Sequence, residues 1–232
     1  MSGLELRTGR EQRGWTQVHT AELLGVSQPY LALLEGGRRK MPPALAYRAA
    51  RVLNLAPTSL PLPLQAPPTR VVAAHLARQL AALDYPGFAY VRAGRKRNPA
   101  EVLVSALAQP NLEPRLTEAL PWVLLRYAAE LHRDWLVQQA RLYGLSNRLG
   151  YVVNLAKRVL ETRGNLDSAE YRALDALENE LRPGRLAAED TLCQSALSQA
   201  EREWLREARP AEAKYWNLLT DWRPEHLQYA TE

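Results

Sequence analysis

The sequence predicts an all-α protein built as a small helical domain, a proline-rich linker and a larger, irregular helical domain. Three observations carry this expectation. Apolar residues recur at helical spacing wherever a pattern can be read. Five prolines crowd into residues 56–69, APTSLPLPLQAPPT. A length of 232 residues with 47% hydrophobic content suffices for one large domain or two small ones with real cores. The expected divisions are residues 1–55, 56–70 and 71–232.

From Thr16 the chain runs TQVHTAELLGVSQPYLALLEGGRR. Thr16 can cap a helix over 17–24, Ala21 is small enough for two helices to cross closely, and Gly25 can take the left-handed conformation that ends the helix. Ser27 can cap the next helix, and Leu24, Val26, Leu31 and Leu34 point to one small core. Two short helices at a steep angle result, with Trp15 packed over the helix that precedes them. Proline then removes backbone donors from 56–69 and turns its predecessors away from helix. Fully extended at about 3.1 Å per residue, this connector would reach roughly 40 Å; alternatively Leu60, Leu62 and Leu64 pack it onto a neighbouring helix.

Beyond the linker, residues 72, 76, 80 and 83 give a helix over 71–83, broken at Pro86-Gly87. Asn98-Pro99-Ala100-Glu101 carries a helix start, with Asn as cap and Pro at the first position, and the helix should run to about Gln109. Further helices are expected across 113–130, 132–143, 146–162, 168–181, 187–208 and 211–220, separated by Pro or Gly at 121, 144, 164, 183, 184 and 210. No fixed repeat is evident.

On the residues quoted from Thr16 to Gly37, with Arg10 six positions before Thr16, residues 4–55 resemble the helix-turn-helix family of the phage lambda Cro and repressor proteins, the XRE family. The resemblance implies a small five-helix-type helix-turn-helix domain whose helix 28–35 lies in the DNA major groove. It implies that Gln17 contacts phosphate, that Ser27, Gln28 and Pro29 face the groove first, and that Leu33 follows one turn later. A glutamine amide matches N7 and N6 of adenine bidentately, so Gln28 either reads a base or hydrogen-bonds Gln17 and braces the motif. Pro29 is tolerated in a first helical turn but cannot donate to phosphate. Leu33 can make only apolar contact, for instance with a thymine methyl, and Ala32 reaches little. Specificity is therefore modest, or comes partly from DNA shape and from elsewhere in the protein.

The family pattern further implies that Glu35 pairs with Arg10 as a structural ion pair, and that Arg38, Arg39 and Lys40 straddle the DNA backbone. Tyr30 approaches that backbone or packs inside. Two departures stand out: Thr20 occupies a position normally filled by a larger apolar residue, and the closing helix within 41–55, with Leu45, Ala49, Val52 and Leu53 on one face, is shortened.

Charge needs discounting before it supports this reading. Against 25 Asp+Glu stand 30 Lys+Arg, of which only four are lysines, and isoleucine is absent, as GC-rich coding produces in any protein. Placement is more informative: residues 1–100 carry 14 basic and 5 acidic side chains, residues 101–232 carry 16 and 20. A second basic cluster, Arg92, Arg95, Lys96 and Arg97, is either an arm on phosphate or a solvated loop. The acids of 167–180 alternate with leucines at helix spacing and read as a solvated face. Trp122, Trp135, Trp204, Trp216 and Trp222 are expected in the core.

One cysteine, Cys193, excludes an internal disulfide, and His19, His75, His132 and His226 are too scattered for a metal site. Phosphate-cradling loops and nucleophile motifs are missing. No catalytic residue, metal or cofactor is therefore expected, and no enzyme. The N-terminus lacks an apolar run and no stretch is long enough to span a bilayer, so a cytoplasmic protein without membrane contact is expected. The function expected is a sequence-specific regulator of transcription, a repressor binding double-stranded DNA as a homodimer. The alternative is an antitoxin-like protein whose helical C-terminal domain binds a partner protein while the N-terminal domain autoregulates; a small-molecule sensor is a third class.

Overall fold

The computed structural model describes residues 1–65 and 70–229. The chain divides into two compact units, Met1–Pro63 and Leu64–Glu232. In the first, α1 (Gly3–Gln12), α2 (Gln17–Leu24), α3 (Gln28–Glu35) and α4 (Pro43–Val52) are followed by a 3-10 turn at Pro57–Ser59. Their ends are set by local bonds. Ser2 and Glu5 form a reciprocal capping box at the start of α1. Thr16 Oγ1 accepts from His19 N at 3.2 Å, and Ser27 Oγ accepts from Tyr30 N at 3.4 Å. Gly25 ends α2 at φ 62°, in the left-handed region that a side chain would disfavour.

Leu6, Ala21, Leu24, Leu31, Leu34, Leu45, Ala49 and Leu53 form the core of this unit, with Trp15, Val26, Tyr30, Val52 and Leu55 packed against it. Each buried leucine contributes about 2 kcal/mol of transfer free energy, so a few leucines outweigh the weak propensities of eight-residue helices. The N-terminus of α1 presses on the end of α3: a Cβ at Gly3 would lie 2.2 Å from the Leu34 carbonyl oxygen and 2.7 Å from that of Glu35. Thr20 is fully buried on α2, and its hydroxyl has no hydrogen-bond partner.

The expected extended connector is shorter at its start. Residues 57–59 turn, and Thr58, Ser59 and Leu60 are buried, so the unit boundary falls at Pro63 inside the predicted 56–70 segment. Residues 66–69 of that segment lie outside the described residues.

The second unit contains α5 (Ala73–Ala82), α6 (Pro99–Leu107), α7 (Pro114–Tyr127), α8 (Arg133–Leu142), α9 (Ser146–Thr162), α10 (Ala169–Leu181), α11 (Gln199–Ala208) and α12 (Ala211–Tyr215). Two-residue strands β1 (Asp190–Thr191) and β2 (Leu218–Leu219) pair in parallel, Asp190 opposite Leu218 and Thr191 opposite Leu219. The chain is all-α in class. The central helix is α9, packed against α7, α8 and α10, and twelve of its seventeen residues are buried. Gly150 on α9 admits the buried Trp216 ring, whose atoms would stand 2.4 to 2.5 Å from a Cβ there.

Four sequence expectations are corrected here. Pro121 sits inside α7 rather than separating two helices. The helix expected over 187–208 begins only at Gln199, because residues 190–193 are drawn into tertiary contacts. Arg148 holds the Asp190 carboxylate through two hydrogen bonds of 2.7 and 2.9 Å and donates to the carbonyls of Leu107 and Gln109. The acids of α10 are not all solvated: Lys157 Nζ on α9 meets Asp175 at 2.6 Å and Glu178 at 2.8 Å, and both Lys157 and Glu178 are buried. Trp216 is a core residue, but Trp204 on α11 is 58% exposed. Among the described residues no helix is long and apolar enough to cross a membrane.

Candidate nucleic-acid interface

The two helices joined at Gly25 present α3 with one face on the core and one face outward. Leu31, Leu34 and Glu35 are buried. The opposite row, at helical spacing, is Gln28, Pro29, Ala32, Leu33 and Gly36. Pro29 and Gly36 are exposed, while Gln28, Ala32 and Leu33 are half-buried. Tyr30 is half-buried and packs against the core cluster.

A hydrogen-bond relay ties the outward row to the interior. Gln28 Nε2 on α3 donates to Gln17 Oε1 on α2 at 2.7 Å. Gln17 Nε2 in turn donates to Glu35 Oε2 at 2.9 Å. Arg10 on α1 closes the other side of that carboxylate bidentately, Nε to Oε1 at 2.7 Å and Nη2 to Oε2 at 3.0 Å, and its Nη1 donates to the Trp15 carbonyl at 2.9 Å. The side chain of Glu35 is only 3% exposed and that of Arg10 11%. The hydrogen bond to Glu35 holds the Arg10 guanidinium above its ordinary value. The charge of Glu35 is therefore satisfied inside the domain and does not oppose an anion at the surface.

The relay leaves Gln28 with chemistry to spare. A primary amide has two N–H donors and a carbonyl with two lone pairs. One donor goes to Gln17, so the second donor and Oε1 remain, which is the complement that the N7 and N6 edge of adenine requires. Bracing Gln17 and reading a base, posed as alternatives on the sequence, are compatible in this geometry. Ser27 accepts from Tyr30 N, and its hydroxyl proton remains to donate.

At the other end of α3 the backbone turns through Gly37 at φ 69°, and the amides of Arg38 and Arg39 return to the Leu33 carbonyl at 2.9 and 3.3 Å. Arg38, Arg39 and Lys40 are exposed on this anchored loop. Other arginines of the unit serve the fold. Arg48 donates to the Leu24 carbonyl at 2.8 Å, beside the α2–α3 turn, and Arg13 to that of Leu53 at 3.0 Å while lying over the Trp15 ring. Sequence reasoning missed these two and the Gln17 to Glu35 bond. None of them leaves a local signal, since the partners stand 18 to 40 residues apart.

In the second unit the cluster at 92–97 is partly neutralised. Lys96 lies 3.8 Å from Asp84, Arg97 pairs with Glu101, and Gly94 N donates to the Arg78 carbonyl at 2.8 Å.

Residues 3–61 match the model of a family described as a helix-turn-helix domain. No curated protein and no solved structure matches the chain. The match begins at the first residue of α1 and runs past the 3-10 turn at 57–59, so it takes in every element of the first unit.

Proposed function

We propose that this protein is a sequence-specific DNA-binding regulator of transcription of the Cro and phage-repressor type, a repressor that lays α3 in the major groove of operator DNA. The observation that carries the reading is the braced amide of Gln28. It stands in the first turn of a helix whose outward row is otherwise small or apolar, and it retains one donor and one acceptor. Gln17 and Ser27 at the near end of α3, and Arg38, Arg39 and Lys40 at the far end, flank that row with groups suited to phosphate. Pro29 and Leu33 fill the space between.

A single motif of this size buries little surface, so the reading includes a homodimer on two half-sites about 34 Å apart. With roughly four phosphate contacts per subunit, log K should fall against log salt with a slope near −7. The reading needs no metal, no cofactor and no reaction chemistry.

The test is selection of preferred duplexes from a random pool, followed by titration of wild type and Gln28→Ala. Loss of the bidentate contact should cost about 1–3 kcal/mol at one base pair and relax the preference there, with binding to unrelated DNA little changed. A Gln28→Ala protein with wild-type sequence preference would overturn the assignment of α3. A site that overlaps the promoter it silences in a reporter assay would establish repression.

A further inference from the structure

The outward row of α3 holds one polar side chain. Of Gln28, Pro29, Ala32, Leu33 and Gly36, only Gln28 carries a donor or acceptor beyond the backbone. Pro29 lacks even a backbone N–H. The exposed cations that follow α3, Arg38 to Lys40, stand beyond the C-terminus of the helix on a loop folded back to the Leu33 carbonyl. A helix so built meets one base edge with an amide and the next ones with hydrocarbon.

Hydrocarbon is a selective reader in the major groove. The N7, O6, O4, N6 and N4 groups of the bases lose hydrogen bonds to water when covered by it, and that loss is uncompensated. The exception is the C5-methyl of thymine, the one apolar group that the groove presents. Resting on the reading of α3 as the groove-facing helix, we infer that Pro29 and Leu33 are specificity-determining residues that recognise the C5-methyl groups of pyrimidines. The half-site then carries an adenine opposite Gln28 and thymine methyls under Pro29 and Leu33. G·C pairs at those positions are disfavoured because their polar edges are left without partners. 5-Methylcytosine, which presents the same methyl, is favoured over cytosine at the same places.

The full-length protein and its selected duplex provide the test. Each thymine is replaced singly by deoxyuridine, which deletes the methyl and keeps the base pair. At the positions read by Pro29 and Leu33 affinity should fall on the order of fourfold, the worth of one buried methylene. Placing 5-methylcytosine instead of cytosine at those positions should recover a similar factor. In Leu33→Ala the corresponding thymine and deoxyuridine duplexes should bind equally, and Pro29→Ala should do the same at its own position.

A pool that yields no preferred sequence overturns the DNA-reading assignment itself. A preferred sequence in which deoxyuridine equals thymine throughout overturns the methyl inference alone. So does a methyl effect that persists in both Leu33→Ala and Pro29→Ala, since the methyl then acts through DNA shape. If one variant fails to fold, the other still separates contact from shape at its own position, and deoxyuridine equal to thymine on the unaltered protein still overturns the inference.

Discussion

Glu35 is an acid at the end of the helix proposed to enter a polyanion's groove, and its environment resolves the conflict. Arg10 takes both of its oxygens and Gln17 shares one, so the carboxylate acts as the anchor from which Gln28 is ultimately oriented. Removing Arg10 strands a buried charge. Arg10→Met should destabilise the domain by about 3–5 kcal/mol, visible as a lower urea midpoint, whereas the paired change with Glu35→Leu should restore most of the loss. Recovery no better than the single variant would argue against a buried ion pair. Thr20 makes the opposite case. Its hydroxyl is fully buried without a partner, so the departure from a larger apolar residue seen in the sequence has a physical cost. Thr20→Val keeps the branched shape, removes the unpaired group, and should raise stability by about 1 kcal/mol in the same urea titration.

At the scale of elements, helix starts were legible and helix partners were not. The bonds of Thr16 to His19, Ser27 to Tyr30 and Asn98 to Ala100 join residues two or three apart, so consecutive letters announce them. The contacts between α9 and α10 join residues 18 and 21 apart, and the acids of α10 looked solvated for that reason. Lys157 is buried, which disfavours its charge, but the hydrogen bonds it donates to Asp175 and Glu178 outweigh burial and hold its amine above the ordinary value of 10.5. The hydrogen bond from Lys157 holds Asp175 below the ordinary 3.8, with burial acting against it. The lysine's contribution is fully present below its unfolded value and lost as pH rises through the raised one. The aspartate's is present above its unfolded value and lost as pH falls through the lowered one. Stability of the second unit should therefore hold a plateau across neutral pH and decline at both ends. In Lys157→Met the alkaline decline should shrink, and the plateau itself should drop because the buried Glu178 loses its closer cation and keeps only Arg182, at 3.7 Å. Unchanged urea midpoints at high pH would refute this.

At the scale of the whole chain, the unit boundary redistributes the charge. With the division at Pro63, the first unit holds eight basic and four acidic side chains, and the remainder holds 22 and 21. The contrast between a basic first hundred residues and an acidic rest thus comes largely from the cluster at 92–97, which belongs to the second unit. A partner argument built on an acidic second domain loses its footing. The same boundary predicts how the chain can be cut. A fragment of residues 1–63 retains the buried Thr58, Ser59 and Leu60, and a fragment of residues 1–55 lacks them. Circular dichroism melts should show the longer fragment folded and the shorter one several degrees less stable, consistent with a loss of about 1–2 kcal/mol of burial in so small a domain. Equal melting temperatures would place the boundary at residue 55 after all.

The linear chain was enough to specify a helical protein, the α2–turn–α3 unit, and the side chains on the outward row of α3. Those features depend on caps, a left-handed glycine and a 3.6-residue period, all of which act over a few adjacent residues. Closure of the fold settled the rest. It brought Gln17 between Gln28 and Glu35 and seated Gly3 on the carbonyls of α3. It carried the helix through Pro121, and it pulled Asp190 onto Arg148 in place of a helix over 187–198. The physical reason is distance along the chain. A bond between groups three residues apart is decided by local geometry, whereas a buried charge or a close backbone approach 18 to 42 residues apart exists only after the core has formed around it.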